Sequence, residues 1–474
     1  MGSRGWRGNF TKESVRIVAI GFQHTLQQQL HELVVRAARP FVSWTESLEG
    51  VDPVSFFMQG PSCGFRERFF WSDRSGGTIL VGLGSVHAIE TGEKDGRFRE
   101  VDARRRQWAS QIERHGDTDA PPLLFGGFSF DPHRTPTDVW RGFSAGKLIT
   151  PAVLLSMRNG QAKLTVTLPA GGGGREIEQV GRLLGRIAAP PLPAPLPALV
   201  AAREADSGRW MEAVRQAIAS IRAGALDKVV LARARQLTFA GTIDAGSVLA
   251  RLREQQPFAY LFAFEQDGRC LIGASPEQLV QKEGETCRSI CLAGSARRGA
   301  TVEEDERLGA WLLSDRKNRQ EHQFVVRMIS RLFAEVCEAV EMPDGPQLLK
   351  LPHIQHLCTP VVGRGCREPS VLCLVERMHP TPALGGTPRE RAMETIRALE
   401  PLERGWYAAP IGWVDAYGDG EWAVAIRSAL LAGSQAFLFA GCGIVADSDP
   451  QSEYEETNVK MAPMLSALGV MHHD

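Results

Sequence analysis

The chain has 474 residues, 43% of them hydrophobic and 23% charged, which excludes a disordered protein and allows one large core or two or three ordinary ones. Fifty-four Lys and Arg balance 55 Asp and Glu to a net charge of -1. With both signs interspersed, there is no basic stripe for nucleic acid or an anionic membrane, and the expected partner is a small molecule.

The opening MGSRGWRGNFTKESV carries no apolar signal segment, and Trp6 stands where a myristoylation site needs Ser or Thr. No stretch reaches the roughly 18 apolar residues of a membrane span, so a cytoplasmic protein is expected. The nine cysteines are odd in number, scattered and without C-x2-C pairs. They read as reduced core thiols and not as a zinc site.

Short apolar runs between Gly, Asn and Pro turns, such as GTILVGLGSVHAIE, LLFGGFSFDP, PAVLLSMRNG and QAKLTVTLPA, give residues 1–187 the texture of an antiparallel sheet. GGGG at 171–174 lacks the Lys-Ser/Thr of a phosphate loop and reads as a turn. At 188–200, AAPPLPAPLPALV packs five prolines into eight residues and predicts an extended crossing segment.

Beyond it, helices and strands alternate. SGRWMEAVRQAIASIRAG has helical apolar spacing and stops at Gly224. KVVLARARQLTF alternates as a strand with Lys228, Val230, Ala232 and Ala234 on its smaller, apolar face. Burial there would favour a free amine able to act as a base; a strand-end lysine reaching solvent is the alternative. Glu277 follows a Ser-Pro turn, where a cleft mouth could hold it rigidly or a helix N-terminus could stabilise it. The backbone amides of Gly294 and Ser295 could meet a carboxylate or form an ordinary turn.

Residues 301–340 predict one long amphipathic helix, or two joined, opened by Thr301 and Glu304 in capping-box spacing. Within it, Glu321 sits beside the apolar stripe, an expensive place for an unpaired carboxylate. HIQHLCTPV holds His353, read as structural, and His356; AIRSALL places Arg427 in an apolar strand, where it needs an anion. In SEYEETNVK, read as helix, Glu453 and Glu456 share a face, Lys460 follows Glu456 at i+4, and Glu455 points away. Separated carboxylates without Cys or His spacing suit Mg2+, with a surface ion pair as the alternative.

Taken in order, KVVLARA, GASPEQLV, LAGSARRG, DRKNRQEHQFVV, QHLCTP, HPTPALGG, GWYAAPIGW, AIRSALL, AGCGIVADSDPQSEYEET and Lys460 resemble the signature of the chorismate-utilising enzymes, densely over 205–468. The resemblance implies a single α+β domain spanning 1–474, with two sheet-and-helix lobes around a central β-sandwich and the proline segment crossing within it. Lys228 suits activation of water, where ammonia-using members carry Gln, and Ala293 stands where aminodeoxychorismate synthases carry Lys. The chain therefore resembles an isochorismate synthase, nearest to the menaquinone-pathway enzymes, with siderophore-pathway isochorismate synthases and salicylate synthases as alternatives. A catalytically silent subunit is a third possibility, against which the retained Lys228 and Glu277 argue.

By resemblance, Lys228 is the general base and Glu277 the general acid. Glu321 and Glu456 bind Mg2+ directly and Glu453 through water. Gly294, Ser295, His356, Ala383, Tyr407, Arg427, Gly441 and Lys460 contact the substrate, with Ser295 replacing the Thr of many relatives. A monomer or weak homodimer without a glutamine amidotransferase is implied.

Overall fold

The computed structural model describes residues 25–187, 191–204, 206–350 and 354–470. The opening segment, residues 188–190 and His353 fall outside these. No helix among the described residues is long and apolar enough to cross a membrane.

Alternating runs of the first half form the strands Thr78–Leu83, His87–Thr91, Leu123–Phe128, Val153–Arg158 and Gln161–Pro169, each paired antiparallel with a neighbour. This half also contains the helices Pro53–Gln59, Arg97–Ser110 and Gly174–Leu184, absent from the sequence reading. Arg97–Ser110 hides its buried face because Asp102 and Arg105 stand among the buried residues, paired at 2.8 Å. The proline-rich segment ends earlier than expected, since Leu199 and Val200 open the strand Leu199–Glu204.

Of the one long helix or two joined expected over 301–340, the structure has two, Val302–Ser314 and Arg316–Val336, with a short strand, Ala339–Glu341, in place of the last residues. Asp315 makes the break: its extended backbone ends the first helix, and its carboxylate caps the second by accepting from the Asn318 N–H at 2.9 Å. Thr301 accepts from the Glu304 N–H at 3.2 Å, but Glu304 reaches back to the Ala300 N–H.

Among the described residues, two sheets of thirteen and ten strands carry the architecture, and each draws on both halves of the sequence. In the larger, Arg68–Ser72 pairs with Tyr260–Gln266; in the smaller, Leu123–Phe128 pairs with Pro410–Asp415. Phe69 of one sheet stacks on Phe125 of the other at 5.9 Å, inside a cluster of buried residues joining the two. A second apolar cluster sits between the larger sheet and helices that include Ala245–Gln255 and Pro450–Ala467.

Two strand continuations pass between the sheets. Arg269–Ser275 of the larger continues as Gln278–Glu283 of the smaller, while Gly420–Val424 of the smaller continues as Ser428–Ala432 of the larger. The crossings lie side by side, with the Val424 N–H donating to the Glu277 carbonyl and the Ala274 N–H to that of Arg427, both at 3.1 Å. Glu277 therefore stands at a sheet crossing, with no helix behind it. Arg427 is likewise not within a strand: it lies at the opposite crossing, in the left-handed region at φ 50°.

Candidate active site

A cavity of about 150 Å³ opens at these crossings. All thirteen residues that the resemblance assigns to catalysis, metal or substrate line it, from Lys228 to Lys460.

Lys228 begins its strand but is only 3% exposed, so it is not a strand-end lysine reaching solvent. Gly443 on the neighbouring strand makes room for it: a Cβ there would lie 2.7 Å from Lys228 Cε and 3.1 Å from Nζ. The same point is 3.7 Å from Glu321 Oε1, so base candidate and metal-ligand candidate converge.

The edge of the Lys228 strand is completed by side chains. Between its short pairing with Gly386–Thr387 and its longer one with Leu199–Glu204, Glu400 accepts from the Ala232 N–H and Arg404 donates to the Val230 carbonyl, both at 2.8 Å. Glu400 and Arg404 pair with each other at 2.7 Å on two contacts and are almost fully buried. An ion pair thus satisfies backbone groups that a sheet edge would otherwise leave bare.

Burial pushes Glu277 up to about 7, against the pull of Arg427, Lys228 and Lys460. Near neutral pH a substantial fraction of this carboxyl is protonated, the form a general acid requires.

Gly294, at φ 81°, forms a bulge where the register of the strands Thr286–Arg297 and Ile354–Arg364 shifts. A Cβ at 294 would lie 3.1 Å from Asn318 Cβ. The Ser295 amide is not free as expected, because it donates to Asn318 Oδ1 at 3.2 Å. Ser295 Oγ bonds His356 Nδ1 at 2.8 Å, while His356 Nε2, buried, has no hydrogen-bond partner among the described residues. Burial, then Arg427 and Lys460, pull His356 down to about 3, so its ring is neutral. His322 fastens the Glu321 helix behind the bulge, through Nε2 to Thr359 Oγ1 at 2.7 Å and Nδ1 to the Ala293 carbonyl at 3.1 Å.

The helix Pro450–Ala467 is capped by Asp449 and presents its acidic face as expected. Glu453 is buried, accepts from Ser448 Oγ at 2.7 Å and lies 3.9 Å from Lys317; burial raises its pKa. Glu456 pairs with Lys460 at 2.5 Å, and that cation lowers its pKa. Burial opposes the charge on Lys460, but Glu456 leaves its pKa raised; its ammonium also donates to the Gly441 carbonyl at 2.9 Å. Glu455 is exposed and accepts a bond from Gln451.

Glu321, Glu453 and Glu456 supply only oxygen donors, the chemistry of a hard divalent cation. They line one cavity without forming a closed cluster: among the described residues, the group of metal-ligating atoms mutually within 4.8 Å is Cys287, Cys337 and Cys366.

Arg427 forms no ion pair among the described residues, and Glu277 and Glu456 act on it only electrostatically. Burial lowers its pKa and raises that of Tyr407, which stacks on Phe439 at 5.2 Å. With Lys228, Lys317 and Lys460, Arg427 makes the lining suited to an anionic ligand. Ala383 and Leu384 close the wall beside Arg404.

Sequence reasoning missed Lys317, Asn318, Gly443 and Arg404 among the lining residues. The first two flank Glu321 by about one helical turn, a spacing that could have found them. Arg404 had an i,i+4 partner in Glu400 as its signal.

A family model described as chorismate binding enzyme matches residues 28–469. The isochorismate synthase MenF of Bacillus subtilis (strain 168) is 44% identical over 463 residues, covering 94% of this chain and 98% of the relative. The salicylate biosynthesis isochorismate synthase of Pseudomonas aeruginosa is 38% identical over 358 residues, covering 74% and 75%. Among solved structures, MenF, the menaquinone-specific isochorismate synthase from Escherichia coli, superposes with a TM-score of 0.78 at 25% identity, covering 94% of this chain and 99% of that one. Anthranilate synthase component I from Streptococcus pneumoniae TIGR4 shares the fold, with a TM-score of 0.68 at 22% identity over 82% of this chain and 92% of that one.

Proposed function

We infer that this chain, which belongs to the chorismate-binding enzyme family, is an isochorismate synthase acting in the cytoplasm for menaquinone biosynthesis. The relatives' reaction supports this reading, and the observation that carries it is the buried Glu277 carboxyl sharing one cavity with the buried Lys228 side chain, with burial pushing Glu277 up to about 7.

In this reading Lys228 Nζ takes a proton from water as its oxygen bonds to C2 of chorismate. Both ring double bonds shift, C1=C2 to C1=C6 and C5=C6 to C4=C5, and the C4 hydroxyl leaves as water with the proton of Glu277. Water is a poor nucleophile and hydroxide a poor leaving group at neutral pH, and each positioned group contributes about 10²- to 10⁴-fold. The product is an isomer of the substrate, so no redox group is required. After turnover Lys228 is protonated and Glu277 ionised, and a proton must return between them.

Glu321 and Glu456 would hold Mg2+ directly and Glu453 would support it. When bound, the ion supplies positive charge against the substrate's ring carboxylate. Arg427, Tyr407 and Lys460 would hold the enolpyruvyl carboxylate, while Gly294, Ser295, His356, Ala383 and Gly441 shape the ring's surroundings. The Ser295 amide must exchange Asn318 for substrate if it is to contact the ring carboxylate.

Purified protein incubated with chorismate and Mg2+ should yield isochorismate by chromatography. Salicylate and pyruvate accumulating together would replace this reading with that of a salicylate synthase.

A further inference from the structure

Three thiols that this chemistry does not use meet at the far ends of the elements that carry it. Cys287 lies near the start of the strand Thr286–Arg297, Cys337 ends the helix Arg316–Val336, and Cys366 follows the strand Ile354–Arg364. Their sulfurs all lie within 4.8 Å of one another, with Cys287 and Cys337 3.3 Å apart. All three are free thiols, at most 6% exposed, and none lines the catalytic cavity.

The space between them is kept open by a missing side chain. Gly363 pairs with Cys287 across the sheet, and a Cβ there would lie 2.5 Å from Cys337 Sγ and 2.6 Å from Cys287 Sγ. A buried thiol placed for packing alone needs no such company, and the other six cysteines form no comparable group among the described residues.

We propose that Cys287, Cys337 and Cys366 form a binding site for a thiophilic d10 cation of the Zn2+ or Cu+ type. Thiolate bonds of about 2.3 Å set the sulfurs of a planar three-thiolate site about 4 Å apart, so the trio reaches that geometry by movements under about 1 Å. Binding expels the thiol protons, and the resulting negative charge meets Lys282 and Arg367, both near enough to act on the cluster electrostatically. The Mg2+ inferred for the glutamates is unsuited to these soft ligands.

The metal would tie the end of the helix bearing Asn318 and Glu321 to the two strands bearing Gly294, Ser295 and His356. It acts as a staple on the scaffold and leaves the reacting groups untouched.

Reduced wild-type protein, titrated with Cd2+ in excess Mg2+, should bind one equivalent with thiolate-to-metal charge-transfer absorption. Cys366→Ser should weaken that binding at least tenfold, and Cys63→Ser should leave it unchanged. Cadmium-edge X-ray absorption on the wild-type chain, which depends on no variant folding, should count three sulfur neighbours; Zn2+ should compete for the site. Absence of the charge-transfer band, an oxygen and nitrogen shell, or a band that persists in Cys366→Ser overturns the proposal.

Discussion

Replacing Glu277 with glutamine removes a titrating group of nearly the same shape and should change stability in a pH-dependent way. Burial raises this carboxyl from 4.5 to about 7, so folding favours the neutral form. Below about pH 4.5 it is protonated folded and unfolded, and nothing is lost. As pH rises from about 4.5 to about 7, the unfolded chain ionises this carboxyl while the folded protein keeps it protonated, and stability falls by about 1.4 kcal/mol per pH unit. Above about 7 both states are ionised, and the loss levels off at about 3 kcal/mol. The neutral amide of the Glu277→Gln variant carries no such penalty. Urea unfolding of both proteins with chelator present should therefore show the variant gaining on wild type by up to about 3 kcal/mol between pH 5 and pH 8.5. The same group should set the alkaline limb of kcat/KM, declining above about pH 7, and the variant should lose about 10²- to 10⁴-fold in kcat. A stability difference that is the same at both pH values would refute the argument that burial holds this proton.

Lys228→Ala should abolish turnover while retaining Mg2+-dependent binding of chorismate by calorimetry; near-normal turnover would remove Lys228 as the base. Glu456→Gln should raise the Mg2+ concentration needed for half-maximal activity by tenfold or more, and an unchanged metal titration would count against it as a ligand. Arg404→Met strands a buried Glu400 and breaks the completed edge of the Lys228 strand. Urea denaturation should show a loss of about 3–5 kcal/mol, and a loss under about 1 kcal/mol would mean the pair does not hold that edge.

The strand Lys228–Phe239 and the acidic face of the helix Pro450–Ala467 were legible because periodicity of two and of 3.6 is written locally. The helix alternative for Glu277 and the strand placement of Arg427 fail for a shared reason. ASPEQLV looks like a turn into a helix and AIRSALL like one strand, whereas both segments pass from one sheet to the other. What makes them cross is pairing with strands more than a hundred residues away, which no local window contains. The pattern over 301–340 allowed two joined helices, but apolar periodicity runs on across Asp315 and does not place the break.

The cysteines show the same limit from another side. Their spacing of 50 and 29 residues carries no metal signature, yet a helix end, a strand and a loop bring three sulfurs together. Conversely, the order of short motifs carried thirteen residues of the cavity lining, although Lys317, Asn318, Gly443 and Arg404 went unnoticed.

The central claim, that this cavity adds water at one carbon while water leaves another, is tested most directly by turnover of chorismate in H2(18)O with Mg2+. The account predicts isochorismate carrying a single 18O at C2, and no labelled product from Lys228→Ala. Isochorismate formed without 18O would mean that the hydroxyl migrates within the substrate, and it would contradict the roles given to Lys228 and Glu277.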